Sequence, residues 1–202
     1  MSLQEAKTNF VVEVAKELFL SRSISSVTIK DIALEAKVGE MTIYRYFGRK
    51  QNIVLAVAIK LQQQIAKYFD TSIGQSGYEK LTIFYQSYLK IFLDSPNLYS
   101  FIYEFDSYMQ DNQVDDVLQN YEDSLLPYKK TYLEAYELGL KDGTIKKQND
   151  IESFYYTTTH ALIELCKKLS RGSGLLQQDK RIDKQKEVNT LISIFLQFLK
   201  NS

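Results

Sequence analysis

Residues 27–50 read Val-Thr-Ile-Lys-Asp-Ile-Ala-Leu-Glu-Ala-Lys-Val-Gly-Glu-Met-Thr-Ile-Tyr-Arg-Tyr-Phe-Gly-Arg-Lys, and this stretch decides the fold. Thr28 with Asp31 three residues on is a capping box. The Thr28 hydroxyl accepts from the Asp31 amide, and the Asp31 carboxylate reaches back and suits the positive end of a helix. A short helix is expected from Ile29 to about Ala36, with Ile29, Ile32 and Ala33 inward. Lys37-Val38-Gly39 makes a turn, and a second short helix runs from about Glu40 to Phe47 with Gly39 as N-cap. Two short helices joined by a tight turn, with Ala33, Val38 and Ile43 filling the angle, have the dimensions of a helix-turn-helix.

The rest of the chain reads the same way. Before the motif, Phe10, Val11, Val14, Ala15, Leu18 and Phe19 form the stripe of an amphipathic helix. After it, a long helix runs from Gln51 to about Phe69, and the loop Thr71–Gly77 follows. Helices are then expected at about Tyr78–Leu93, Pro96–Met109 (Ser95 as N-cap, Pro96 in the first turn), Val114–Leu126 and Tyr128–Lys141. Asp150 caps a helix reaching about Arg171, residues 171–183 form a polar loop, and a last apolar helix spans Lys184–Lys200. Tyr99, Phe101, Tyr103 and Phe105 alternate with the period of a strand, but no second strand candidate exists to pair with them, so a helix buried on several sides is preferred.

Composition agrees. In 202 residues there are only 8 Gly and 2 Pro, a scarcity that suits helix interiors and not the turns of β-sandwiches or phosphate loops. The fold class is therefore all-α: an N-terminal three-helix helix-turn-helix domain over residues 1–48, and a larger helical domain over 49–202. One Cys excludes an internal disulfide framework and a Cys-rich metal site, and one His excludes every multi-histidine metal centre. Neither a cofactor nor an enzyme is expected, because no nucleophile, base and orienting group can be assembled; Asp115 and Asp116 are adjacent and diverge on a helix. No apolar leader follows a basic start, and no uncharged run is long enough for a membrane span, so a cytoplasmic location without membrane partners is expected. Lys and Arg number 25 against 25 Asp and Glu, so any nucleic-acid binding must come from local charge. Between Met41 and Phe69 there are five basic residues and no acidic one, and Arg45, Arg49 and Lys50 cluster at the second short helix, the patch that a phosphate backbone requires.

Ala15–Phe19, Val27–Ala33, Ala36-Lys37-Val38, and above all Met41-Thr42-Ile43-Tyr44-Arg45-Tyr46-Phe47 followed by Lys50, resemble the TetR family of bacterial transcriptional repressors. The matching elements keep the family's order and spacing from about Phe10 to Val57. Three positions depart from its pattern: Lys37 stands where Gly is usual in the turn, Met41 where a small residue often precedes Thr42, and Arg49 where Ser usually caps the fourth helix, with Gly48 as a substitute cap. A Lys at position 37 must adopt a left-handed conformation at a cost of roughly 1 kcal/mol or more.

The resemblance implies a recognition helix in the major groove of double-stranded DNA. Arg45 is exposed in the pattern and suits either bidentate readout of guanine or a phosphate clamp. Thr42, Tyr44 and Tyr46 resemble the family's phosphate and base contacts, Arg49 belongs to the cationic cluster, and Lys50 is expected on a phosphate beside the free amides of its helix. Lys30 reaches the groove edge. Ile43 and Phe47 are structural.

Twelve of the 15 Tyr lie between Tyr78 and Tyr156, either filling helix interfaces or lining a pocket for a small hydrophobic effector. From Asp94 to Asp123 there are eight acidic residues and no Lys or Arg, interleaved with aromatic rings. Aromatic faces beside carboxylates bind lipophilic cations, which points to Tyr85, Tyr99, Tyr103, Glu104, Tyr108 and Tyr121 as ligand residues, with Glu104 the first carboxylate. An acidic solvated face is the other reading. His160 reads as an interface or pocket residue and not a pH switch, and Cys166 as a small buried hydrophobe and not a redox sensor. Phe154, Thr158, Leu162 and Leu165 on one helix, with Leu191, Ile194, Phe195 and Phe198 on the last, give stripes suited to a four-helix bundle between two chains. The expected function is a homodimeric, ligand-responsive repressor on a palindromic operator. The alternative is an adaptor of the same fold that regulates through protein binding without reading DNA.

Overall fold

The computed structural model describes residues 2–112, 118–171, 181 and 183–201. The elements are α1 Leu3–Ser21, α2 Ile29–Glu35, α3 Glu40–Phe47, α4 Lys50–Ile65, a short 3-10 turn Ala66–Phe69, α5 Gly77–Asp94, α6 Leu98–Asp111, α7 Gln119–Lys141, α8 Ile151–Ser170 and α9 Lys184–Leu199. The fold is all-α among the described residues. Extended pairing there is limited to one isolated antiparallel bridge between Ile145 and Lys200.

Capping boxes start three helices. The Ser2, Thr28 and Ser76 hydroxyls accept from the amides of Glu5, Asp31 and Glu79, whose carboxylates return to the cap backbone. Each box satisfies amides that a helix start otherwise leaves unpaired. Lys37 has φ +53°, the left-handed turn residue expected between α2 and α3.

Three local readings need correction. The buried face of α1 is turned relative to the expected stripe: Val12 is inside, Val14 only half-buried, and Phe10 is 54% exposed. Ser95 ends α5, its N–H bonding the Ile91 carbonyl, and does not cap the next helix. Its carbonyl accepts from Leu98, where α6 begins, because residues 96–97 form a turn. Pro127 does not separate two helices; α7 runs through it. An interior Pro costs about 3 kcal/mol, set here against burial of Tyr128, Tyr132, Ala135, Tyr136 and Gly139 along one face. The start expected at Val114, Asp115 and Asp116, and residues 172–180 and 182 of the expected polar loop lie outside the described residues.

Two compact units make up the chain. Residues 1–64 and 100–124 form one, and residues 65–99 and 125–202 form the other. The first is built on α1–α4 with most of α6; Val11, Ala15, Phe19, Ile24, Val27, Ile32, Ile43 and Ile53 are buried in it. The second has an aromatic core in which Phe84 meets Phe69, Tyr85, Tyr88 and Tyr132 at ring-centroid distances of 5.2–5.9 Å, the spacing that tilted and edge-on pairs prefer. The segment 99–105 is helical as preferred, and the period-two pattern is resolved by it: Phe101, Phe105 and Met109 share a buried face, Tyr99 is buried beside Tyr88, and Tyr103 is 40% exposed.

Candidate nucleic-acid interface and effector residues

α3 separates its residues cleanly. Ile43 and Phe47 are buried, while Met41 (79% exposed), Tyr44 and Arg45 lie on the open side. Thr42 and Tyr46 are half-buried. The Arg45 guanidinium lies 5.1 Å over the Tyr46 ring, with Nη2 donating to the Tyr46 hydroxyl at 3.5 Å. Together with Lys7, Phe10 and Thr42, these two side chains line an open surface groove. Lys30 on α2 and Arg49 after α3 are exposed. The ends of α3 are shaped by glycine: Gly39 is the N-cap, and Gly48 takes φ +72° where the chain turns into α4. Asn52 ties that corner, its Nδ2 donating to the Phe47 carbonyl at 2.6 Å.

Lys50 stands apart from the other cations. It is half-buried, its ammonium donates to the Ile24 carbonyl, and it lies 5.2 Å over the Tyr108 ring and 6.0 Å over that of Phe19. Burial lowers its pKa from the ordinary lysine value, against the opposing pull of Asp31.

The six expected effector residues do not fall in one unit. Tyr103, Glu104, Tyr108 and Tyr121 belong with the helix-turn-helix, and Tyr85 and Tyr99 with the aromatic core of the other unit. Glu104 Oε2 accepts the Ile24 N–H at 2.6 Å, so this carboxylate already has a backbone partner. Tyr121 packs on Phe105 at 4.9 Å, and its hydroxyl accepts from Gln62 at 3.4 Å. In the second unit, the Tyr85 hydroxyl lies 3.1 Å from that of Tyr132 and 2.9 Å from Thr158 Oγ1. Burial drives the Tyr85 pKa up to about 12, in spite of both hydrogen bonds. Tyr99 is buried, its hydroxyl donating to the Tyr88 carbonyl at 3.1 Å. Among the described residues no group of three or more His, Cys, Asp or Glu could hold a metal ion, and no helix is long and apolar enough to cross a membrane.

Along α8 and α9, Ile194 and Phe198 are exposed, and Phe154, Leu165, Leu191 and Phe195 are half-buried. Thr158 and Leu162 do not belong with them. They are 2% and 0% exposed, turned into their own chain, Thr158 by its bond to Tyr85. Their i, i+4 spacing matches a pairing stripe, but α8 has two apolar faces and these residues occupy the inner one. Tyr156, 45% exposed and missed in the stripe, lies outside. Ile24 carries no signal in the sequence, yet both of its backbone groups meet side chains distant in the chain.

The sequence model described as "Bacterial regulatory proteins, tetR family" matches residues 11–57. The HTH-type transcriptional regulator AlkX of Mycobacterium tuberculosis is 26% identical over 85 residues, which is 42% of this chain and 40% of that protein. Among solved structures, FadR of Bacillus subtilis in complex with stearoyl-CoA is similar with TM-score 0.64 and 16% identity, over 94% of this chain and 97% of that one. The ketosteroid regulator KstR2 of Mycobacterium tuberculosis is similar with TM-score 0.62 and 14% identity, over 96% and 95%. At these identities the structural likeness is one of fold.

Proposed function

Given that the chain, through its residues 11–57, belongs to the TetR family of bacterial regulatory proteins, we propose that it is a homodimeric transcriptional repressor released from a palindromic operator by a small hydrophobic ligand. In this reading residues 1–48 bind DNA, and residues 49–202 bind the ligand and pair the two chains. The observation that carries it is the division of α3: Ile43 and Phe47 buried, Met41, Tyr44 and Arg45 exposed, on a helix opening a stretch with no acidic residue between Met41 and Phe69. A recognition helix needs its inner face to be held and its outer face to reach base edges. Arg45 contacts a guanine, Thr42, Tyr44 and Tyr46 contact bases and phosphates, and Lys30 and Arg49 neutralise phosphates. Lys50, whose ammonium is turned to the protein, is assigned a different part below.

The ligand reading keeps its hydrophobic half. FadR of Bacillus subtilis was solved with a long acyl-CoA, and the buried hydroxyls of Tyr85, Tyr132 and Thr158 give this chain a polar anchor in an aromatic setting. The cationic half rested on Glu104, which is committed to Ile24. The test is selection from a random duplex pool followed by sequencing. Enrichment of a two-fold symmetric site, with half-sites about one helical turn apart, is the expected result. Recovery of no enriched sequence would refute the repressor and leave the protein-binding adaptor.

A further inference from the structure

The link between α1 and α2 is gripped at a single residue from two distant parts of the chain. Ile24 has a fully buried side chain. Its N–H donates to Glu104 of α6 at 2.6 Å, and its carbonyl accepts from Lys50, the first residue of α4. We infer that Glu104 and Lys50 form a clamp on the Ile24 backbone that positions the helix-turn-helix, and that Lys50 serves DNA binding through this clamp and not through a phosphate. The inference rests on the DNA-binding reading above.

Buried backbone groups must be paired, and local partners here are already used. The Ser23 carbonyl accepts from the Ser26 and Val27 amides, and the Ser23 hydroxyl also accepts from Ser26. The two groups of Ile24 are therefore taken by side chains 80 and 26 residues away. One of these is a carboxylate and the other an ammonium, and hydrogen bonds from ionised groups are about twice as strong as neutral ones. Three residues further on, Val27 is also fully buried, Thr28 caps α2, and the Val38 amide bonds the Ala33 carbonyl at the turn into α3. The path from the clamp to the recognition helix is thus short and hydrogen-bonded at Val27, at Thr28 and at Val38. A displacement of α6 against α1 must either carry this link with it or break the Glu104 bond. For Lys50 to reach a phosphate it would have to leave a carbonyl and the faces of Phe19 and Tyr108.

The experiment is a salt titration of affinity for the selected DNA, using the full chain and the variants R45A, K50M, E104A, E104Q and K50M/E104A. A lost phosphate contact shallows the slope of log K against log salt by roughly 1, and a lost positioning contact does not. K50M and E104A are each expected to weaken binding about five- to tenfold with the wild-type slope. E104Q, whose amide oxygen still accepts from Ile24, should recover most of the loss, and the double variant should lose less than the product of the singles. A K50M slope shallower by roughly 1, or E104A binding like wild type, would overturn the clamp. If wild type selects no DNA, the DNA reading fails separately, and amide exchange in the free protein decides the clamp. Exchange at Ile24 should then be at least about tenfold faster in E104A, and unchanged exchange would overturn it.

Discussion

Gly77 lies so close to Gly139 that a Cβ placed on it would come within 2.1 Å of the Gly139 nitrogen and 2.6 Å of the Ala135 carbonyl oxygen. The first turn of α5 therefore packs backbone to backbone on α7. The Asp142 carboxylate completes the contact by accepting the Gly77 amide at 2.8 Å. Backbone cannot move aside as a side-chain tip can, so Gly77→Ala is expected to cost about 2–3 kcal/mol. For a chain of this size that lowers Tm by roughly 4–12 °C. Gly143→Ala, a site with open space around it but φ +75°, should cost only about 1 kcal/mol. Thermal melts of the two variants side by side check the order.

Lys37 is the opposite case. It is an exposed side chain in a left-handed turn with φ +53°. Replacing it by Gly removes the Cβ clash and returns part of that gain as unfolded-chain entropy, for a net stabilisation of about 0.5–1 kcal/mol. Denaturant titration should show a higher midpoint with an unchanged m-value, and a lower midpoint would refute the strain argument.

Alkaline pH should weaken the fold. Burial pushes the Cys166 thiol up to about 12 and the Tyr85 and Tyr155 phenols up to about 12. These groups ionise earlier in the unfolded chain, near their ordinary values of about 8.5 and 10. The folded state therefore holds more protons, and stability falls as pH rises from about 8.5 towards 12. Melting temperature against pH checks the sign. A thiol reagent at pH 8 should leave native Cys166 unmodified and react at once in denaturant.

The exposed residues of α9 are expected to carry the pairing of two chains. Ile194→Asp combined with Phe198→Asp should give a monomer in sedimentation at micromolar concentration, since a charge cannot be buried in an apolar interface without cost. Thr158→Val, on the inner face of α8, should leave the oligomeric state unchanged. It should instead destabilise the fold by about 1 kcal/mol through the lost bond to Tyr85.

Removing Arg45 separates DNA binding from the rest. Arg45→Ala should lower affinity for the selected duplex by about tenfold or more while leaving the unfolding free energy within about 0.5 kcal/mol of wild type, because the side chain is exposed and its partner Tyr46 is on the same short helix. Unchanged affinity would exclude it from the interface.

Much of this protein is decided by interactions a few residues long, and those can be read in the sequence. The capping box at Thr28 and Asp31, the left-handed Lys37, the inward Ile43 and Phe47, and the starts of α8 and α9 at Asp150 and Asp183 depend on neighbours within one turn. Helical period and low Gly and Pro content then leave an all-α fold as the consistent solution. Local rules misplace the chain where burial outweighs them. Pro127 breaks an isolated helix but not one with an aromatic face buried after it, and Thr158 and Leu162 repeat at the spacing of a surface stripe while facing their own core. Tertiary structure alone decided which charges are available. Glu104 and Lys50 read as a ligand carboxylate and a phosphate contact, because nothing local connects either to Ile24. Only packing of α6 and α4 against that buried link brings them to its N–H and C=O, groups that cannot be left unpaired inside the protein.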